Sequence, residues 1–186
     1  MKREEQFEIL KSLCAWDEES VGHFKIAFLA HYQLLNTIID KCAERFKRIE
    51  IPRVDYFIYK EYVYLIYAQL CIVIECLCKA SLEDRGYTEE AIIKLKHSLT
   101  KLIEEVGKNN QPREQSIYTI LSKYAELINY LDSENMFVNA RYMTYKDLVS
   151  LEHINMVEDL ILDIDSIYCQ YYKNFDIASI VYPDSM

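Results

Sequence analysis

The chain has 186 residues and a formal net charge of -9, which argues against nonspecific coating of nucleic acid, because that affinity comes from neutralised phosphates. It contains only three glycines and three prolines, whereas average usage would give roughly 13 and 9, so we expect few turns and long elements. No run of about 18 apolar residues without a charge occurs, and the N-terminal MKREEQFEIL has no apolar stretch of the kind found in signal peptides. These features predict one cytoplasmic domain, residues 1–186, without a membrane span.

Helical periodicity dominates the first half of the chain, and strand-like alternation is nearly absent. The predicted elements are a short helix at about 3–13, a long helix from Asp17 or Ser20 to about Arg48, and a second long helix at about 54–84. Pro52 should end the first long helix, because proline removes a backbone donor. Gly86 stands where a helix C-cap glycine is expected.

The second half continues the helical pattern with shorter elements. Thr88 should start a short helix and Ser98 another, ending near Gly107, because both are good N-cap residues. The predicted elements that follow are a loop at GKNNQP, a helix at about 113–131, a last helix opened by the capping box Thr144 to Asp147 and running to about Tyr172, and a short tail at 173–186. Long helices with short connections predict an all-α, up-and-down bundle of four to five helices.

The six cysteines predict neither disulfides nor a metal site. A cytoplasmic chain should keep them reduced, and Cys76-Leu-Cys78 lacks the spacing and the second ligand pair of a zinc site. The sequence also lacks Glu-x-x-His pairs and phosphate-binding glycine loops. We therefore expect most cysteines to be small buried apolar residues, and we predict no metal and no cofactor.

Three segments in a fixed order carry a resemblance to a known family. IECLCKASLEDRGY is followed by KHSLTKLIEE and, after a further predicted helix, by NARYM. This order resembles the HEPN superfamily of small α-helical domains, one branch of which has E-x-x-x-K-A-x-L, then G-H-D-L-x-x-L, then R-Y-P. The matching residues are Glu75, Lys79, Ala80, Leu82, His97, Leu99, Leu102, Arg141 and Tyr142. The resemblance covers about 54–172, after the N-terminal helices predicted at 3–48, and implies a HEPN-like bundle.

The departures from the family pattern bear on catalysis. Lys96, Ser98 and Met143 replace the glycine, aspartate and proline of the motifs. Active HEPN ribonucleases resemble one another in an Arg-x4-6-His motif, and counting from Arg141 places Lys146, Asp147 and Leu148 where that histidine belongs. Metal-independent RNA cleavage needs an acid and a base, for which imidazole is well suited. The resemblance therefore implies a non-catalytic or weakly catalytic domain, and an endoribonuclease using Arg141 with His97 or Lys146 is the alternative.

Each candidate residue has a functional and a structural interpretation. His97, beside Lys96, could face a ligand, but we favour an imidazole that fixes its loop. Arg141 could grip a phosphate or could pair with Glu75 or Asp147 inside the bundle, and the sequence leaves both open. Glu75 and Lys79, one turn apart, should form an ion pair across the bundle interior or contact the loop that carries His97.

The resemblance also implies partners. HEPN-like proteins commonly form homodimers with the arginine segments facing a shared cleft, here lined by Arg141 and Tyr142 with His97 at its wall. The family context implies RNA or a nucleotide as ligand, and a nucleotidyltransferase or an antitoxin as protein partner in a toxin-antitoxin, phage-defence or RNA-handling setting. A purely structural helical scaffold is the third alternative.

Overall fold

The computed structural model describes residues 23–46, 53–133 and 151–173, and within them the side chains of 23–44, 63–133 and 155–173. Every regular element in these ranges is helical, so the predicted all-α class is confirmed. The helices are α1 (His23–Phe46), α2 (Arg53–Glu83), α3 (Glu89–Ile93), α4 (Leu99–Gly107), α5 (Pro112–Ser122), α6 (Ala125–Ser133) and α7 (Leu151–Ile167), with a π-helical turn at Tyr168–Tyr172. The predicted helix at 3–13, the Thr144 capping box and most of the tail lie outside the described residues.

The two long helices, α1 and α2, pair in antiparallel fashion. Near one end the backbone N–H of Phe24 donates to the Glu83 carboxylate at 3.2 Å. Further along, the Gln69 side chain donates to the backbone oxygen of His31 at 3.0 Å. Helix α2 has 31 residues, about 46 Å at 1.5 Å per residue, and its second half forms the centre of the core.

Helix α2 ends where the sequence predicts. Gly86 has a φ of 79°, the left-handed conformation that glycine adopts without steric cost. Its N–H bonds to the Glu83 oxygen at 2.9 Å, and the Tyr87 N–H bonds to the Leu82 oxygen at 3.2 Å. These two bonds make a Schellman motif, which turns the chain toward α3 and α4.

The prediction of a single helix at 113–131 is wrong in one respect, because the structure has two helices there. Helix α5 ends at Ser122 and α6 begins at Ala125. At the break the N–H groups of Lys123 and Tyr124 bond three residues back, to Ile120 and Leu121, at 3.1 Å each. The Tyr124 hydroxyl donates to Asp163 of α7 at 2.8 Å. The tertiary contact with α7 therefore fixes a tightened turn where helical periodicity alone predicts continuation.

Aromatic side chains hold the C-terminal helix against α1. The Tyr32 hydroxyl donates to Asp165 at 2.8 Å, and the Tyr32 ring stacks on Tyr168 with 4.5 Å between centroids. In the π-helical turn, the Lys173 N–H bonds to the Tyr168 oxygen at 2.8 Å. This turn carries the Tyr172 ring into the core against Phe28, at 4.9 Å.

The segment Val63–Glu83 of α2 is long and apolar enough to cross a membrane by length and composition, but 78% of its most apolar window is buried within the fold. It thus packs as a core helix does.

Four of the described cysteines are buried and Cys169 is exposed, so the prediction that most cysteines are buried is confirmed for those that the structure describes. Burial raises the pKa of Cys71 and Cys76 to about 12, which keeps both as unreactive thiols at neutral pH. The four buried cysteines are Cys42, Cys71, Cys76 and Cys78.

Candidate functional site

The core of the candidate site is an ion pair on one face of α2. Glu75 and Lys79 are both buried, and the Lys79 Nζ lies 2.7 Å from Glu75 Oε1. The ammonium also lies 5.5 Å from the centre of the Phe24 ring, within the range of a cation–π contact. The pair runs along a single helix, not across the bundle interior as one of the sequence interpretations had it.

His97 contacts this pair from the turn between α3 and α4. Its Nδ1 lies 2.9 Å and 3.1 Å from the two Glu75 carboxylate oxygens, while 67% of its side-chain surface is exposed. A carboxylate only accepts hydrogen bonds, so Nδ1 carries the proton in this contact. In the neutral ring the lone pair is then on Nε2, and the buried carboxylate sets both the tautomer and the orientation of the imidazole.

The other side of the same turn is fixed by Asp132 of α6. Ser98 donates from Oγ to this carboxylate at 3.0 Å, and the N–H groups of Leu99 and Thr100 donate to it at 3.3 Å each. The predicted Ser98 N-cap is confirmed, because its side chain accepts from the Lys101 N–H. The first amides of α4 therefore already have carboxylate or hydroxyl partners, and any ligand here must be bound by side chains.

Lys96 has a backbone conformation that its residue type disfavours. Its φ of 58° is the one positive value at a non-glycine residue in the part of the chain that the structure describes. The left-handed region costs an ordinary residue about 1–2 kcal/mol. Glycine adopts this conformation without that cost.

We expect Lys96→Gly to raise the free energy of unfolding by about 0.5–1 kcal/mol, because glycine removes the left-handed penalty but gains entropy in the unfolded chain. Urea unfolding followed by circular dichroism measures this change. Lys94→Gly, in the same turn at a residue without positive φ, is the control and should lower stability. An equal loss in both variants would contradict strain at Lys96.

The exposed surface of the turn is cationic. Lys94, Lys96 and Lys101 are all exposed, and no acidic residue occurs between Ala91 and Ile103. The carboxylates that contact the turn from α2 and α6 are already hydrogen-bonded as described above. We call the segment Lys94–Lys101 the basic turn, a local positive surface on a chain whose net charge is -9.

Four of the residues predicted from the sequence thus come together. His97, Lys96, Glu75 and Lys79 lie in or directly beneath the basic turn, and the predicted contact between the Glu75–Lys79 pair and the His97 loop is present. Arg141, Tyr142 and Lys146 lie outside the described residues. Their predicted roles, and the shared cleft that depends on them, stay predictions.

A second polar cluster, around Glu114 of α5, is one that the sequence interpretation missed. Glu114 is 0% exposed and accepts from Ser81 at 3.1 Å, from Arg113 at 2.8 Å and from the Arg85 guanidinium. Burial would raise the pKa of this carboxyl, but the hydrogen bonds from Arg85 and Arg113 outweigh burial and lower it. Both cations are partly exposed, while the carboxylate between them is not.

The cluster extends to α1 and to the π-helical turn. Asp84 bonds to Arg113 at 2.6 Å and to Lys25 at 2.9 Å. The Tyr172 hydroxyl is buried and has no hydrogen-bond partner among the described residues, and burial raises the pKa of this phenol. The sequence signal for the cluster is slight, since Pro112-Arg113-Glu114 is a common way to begin a helix. Every cation of the cluster is paired with one of its two carboxylates, so the structure indicates that the cluster ties helices together.

The chain matches no protein-family model, no curated protein and no solved structure. The HEPN resemblance therefore depends on the three sequence segments alone and stays a prediction. Within the described ranges no group of three or more histidine, cysteine, aspartate or glutamate side chains is placed to hold a metal ion. The groups available for chemistry at the basic turn are an oriented imidazole and three lysine ammonium groups.

Proposed function

We propose that this protein is a HEPN-like helical domain, non-catalytic or weakly catalytic, that binds RNA or a nucleotide by its phosphate groups at the basic turn. The observation that carries the proposal is the His97 imidazole, held by the buried Glu75 carboxylate in a turn whose other exposed charges are all cationic. Lysine ammonium groups bind phosphate as point charges, whereas Nε2 of the neutral imidazole is an acceptor and therefore suits a ribose hydroxyl, not a phosphate oxygen. Arg141, which the family motif implies at the same site, would add a bidentate phosphate contact.

The negative total charge favours a small, local contact over a broad one. With about three lysines in the turn, the affinity for single-stranded RNA should fall with salt at a slope of roughly -0.7 per phosphate neutralised, or about -2 in total. A general polycation surface would give a much steeper dependence. The measured slope therefore distinguishes binding at the basic turn from nonspecific coating of the RNA.

A second candidate function, metal-independent RNA cleavage, is favoured by the Glu75–His97 contact. A carboxylate that accepts from Nδ1 puts the lone pair of the neutral ring on Nε2, and a lone pair is what a base needs to take a proton from a ribose 2'-hydroxyl. The missing family histidine argues against an efficient enzyme, because Lys146 is a poor base at its ordinary pKa near 10.4. Weak cleavage that depends on His97 and Arg141 would support this candidate.

We expect Lys96→Glu combined with Lys101→Glu to weaken RNA binding by at least about tenfold, since two attractive contacts become repulsive. Fluorescence anisotropy with a labelled single-stranded RNA measures the affinity. Lys41→Glu together with Lys108→Glu changes the same charge at exposed positions outside the turn and should weaken binding less than about threefold. Equal losses in both double variants would contradict a site at the basic turn.

The same RNA, incubated with wild type, His97→Ala and Arg141→Ala, tests for cleavage. No cleavage with intact binding is the result expected of a binding domain. Cleavage by wild type that is lost in both variants would favour the endoribonuclease over the binding domain. No binding and no cleavage would leave the helical scaffold as the better explanation.

The proposal includes the partners that the family resemblance implies. A homodimer would place two basic turns and two Arg141 segments on one assembly, which would raise the avidity for a strand that reaches both. A nucleotidyltransferase or antitoxin partner belongs to the same setting. Copurification with proteins encoded beside this one would test the partner part of the proposal.

A further inference from the structure

A groove of about 180 Å³ opens between α4, α5 and α6, and Thr100 of the basic turn is one of the residues that line it. Its floor is apolar and comes from Ile103, Leu121 and Ile128, which are buried. Its polar lining comes from Thr100, Glu104 and Asn129. A space of about 150 Å³ accepts a single benzene ring, so the groove has room for one planar ring system of similar size.

Tyr118 forms one wall of the groove and is held in a fixed orientation. The residue is 38% exposed, and its ring lies against the backbone of Gly107, where an added Cβ would be 2.5 Å from Cδ2 and 2.9 Å from Cγ. Only glycine allows so close an approach of the ring. One part of the aromatic surface therefore packs on α4 while another part faces the groove.

The groove and the basic turn are joined through Thr100. Its Oγ1 bonds to Asn129 of the polar lining at 3.3 Å and to Asp132, which fixes the basic turn, at 3.0 Å. Thr100 lies in the first turn of α4, three residues after His97. A nucleotide has the matching shape, since its charged phosphate and its planar base are adjacent.

We propose that the groove is a nucleobase subsite, and that the base stacks on Tyr118 while its phosphate lies at the basic turn. The inference rests on the proposed function and adds the ligand class to it, which is single-stranded RNA with one unpaired base bound in the groove. Charge complementarity sets the orientation of the bound nucleotide. Its anionic phosphate lies at the lysines, and its uncharged base lies over the apolar floor. Base stacking on aromatic side chains is the usual way in which proteins hold unpaired bases.

The polar lining implies a preference among bases. The Glu104 carboxylate only accepts hydrogen bonds, so it favours bases that present an exocyclic amino group. Adenine and cytosine have such a group and uracil does not. We therefore expect hexa-adenylate to bind more tightly than hexa-uridylate, and we expect Glu104→Gln to reduce the difference.

The decisive comparison uses hexa-adenylate and an abasic ribose-phosphate oligomer of equal length as probes. Wild type should bind hexa-adenylate more tightly, and Tyr118→Ala should lose about fivefold to 150-fold in affinity for it, the range measured for single stacked bases. The same variant should bind the abasic oligomer as wild type does. Tyr118→Phe keeps the ring and should retain the affinity, while Gly107→Ala, which displaces the ring, should lose it.

The outcomes separate this inference from the function on which it rests. Wild-type binding of both probes with equal affinity, or a Tyr118→Ala variant that binds hexa-adenylate as wild type does, would overturn the base subsite and leave the phosphate site standing. Failure of wild type to bind either probe would overturn both. Thermal unfolding of each variant checks the fold, and Tyr118→Phe keeps the test valid if Tyr118→Ala is unstable.

Discussion

Glu114→Ala should lower the free energy of unfolding by about 3–5 kcal/mol, because it removes the buried anion that two guanidinium groups share. Arg85 and Arg113 would keep their positions at the junction of α2 and α5 without the carboxylate that compensates them. For a chain of this length such a loss corresponds to a fall of about 6–20 °C in the melting temperature. Urea and thermal unfolding, both followed by circular dichroism, measure the change.

Glu158→Ala is the matched control. Glu158 is exposed on α7, and the same substitution there should change stability by no more than about 0.5 kcal/mol. A loss at Glu114 no larger than this control would show that the two arginines find other partners, and that the cluster does not tie the helices together.

Acid titration gives a second readout of the same carboxyl. The pKa of Glu114 is lowered from its ordinary value of 4.5 in the folded protein, so the unfolded chain binds this proton more readily. The stabilisation is thus fully present above about pH 4.5 and is lost as the pH falls through the folded-state pKa. The stability difference between wild type and Glu114→Gln should shrink over that range.

Helix ends set by local chemistry were predictable from the sequence. Gly86 ends α2 with a glycine in the left-handed region, and Thr88 and Ser98 cap α3 and α4 with their own side chains. Each signal lies within a few residues of its effect. These helix ends could therefore be predicted from the sequence without knowledge of the fold.

Features that depend on tertiary contacts were not predictable in this way. The break between α5 and α6 is held by the bond from Tyr124 to Asp163, 39 residues away, and the periodicity on either side gives no sign of it. Glu114 and Arg113 resemble any charged first turn of an exposed helix. Glu114 is buried because it contacts Ser81 and Arg85, about 30 residues earlier in the chain, and no local pattern encodes those contacts.

The candidate site lies between these cases. Glu75, Lys79 and His97 were grouped through the family resemblance, and the structure brings them within hydrogen-bond distance. The positive φ of Lys96 could not be predicted from a lysine, whereas a glycine would have suggested it. Tyr118 and Gly107 were not connected by the sequence interpretation, because a ring packed on a bare Cα requires the two helices to be in place.

We expect Glu75→Ala to cost about 3–5 kcal/mol of stability, because it leaves the buried Lys79 ammonium without its carboxylate. His97→Ala should cost no more than about 1 kcal/mol, since its imidazole is largely exposed and Glu75 keeps its Lys79 partner without it. The two variants would nevertheless share one effect. Both remove the oriented imidazole from the basic turn, so both should weaken RNA binding in anisotropy measurements under conditions where each is folded.

Replacing both partners of the pair separates charge from packing. Glu75→Met combined with Lys79→Met removes the two charges and keeps side chains of similar length, so it should recover most of the stability that Glu75→Ala loses. It should not recover RNA binding, because a thioether at position 75 does not replace the carboxylate that orients the imidazole of His97. A double variant that restored both stability and binding would mean that Glu75 serves the core alone, and that the orientation of His97 has no part in recognising the ligand.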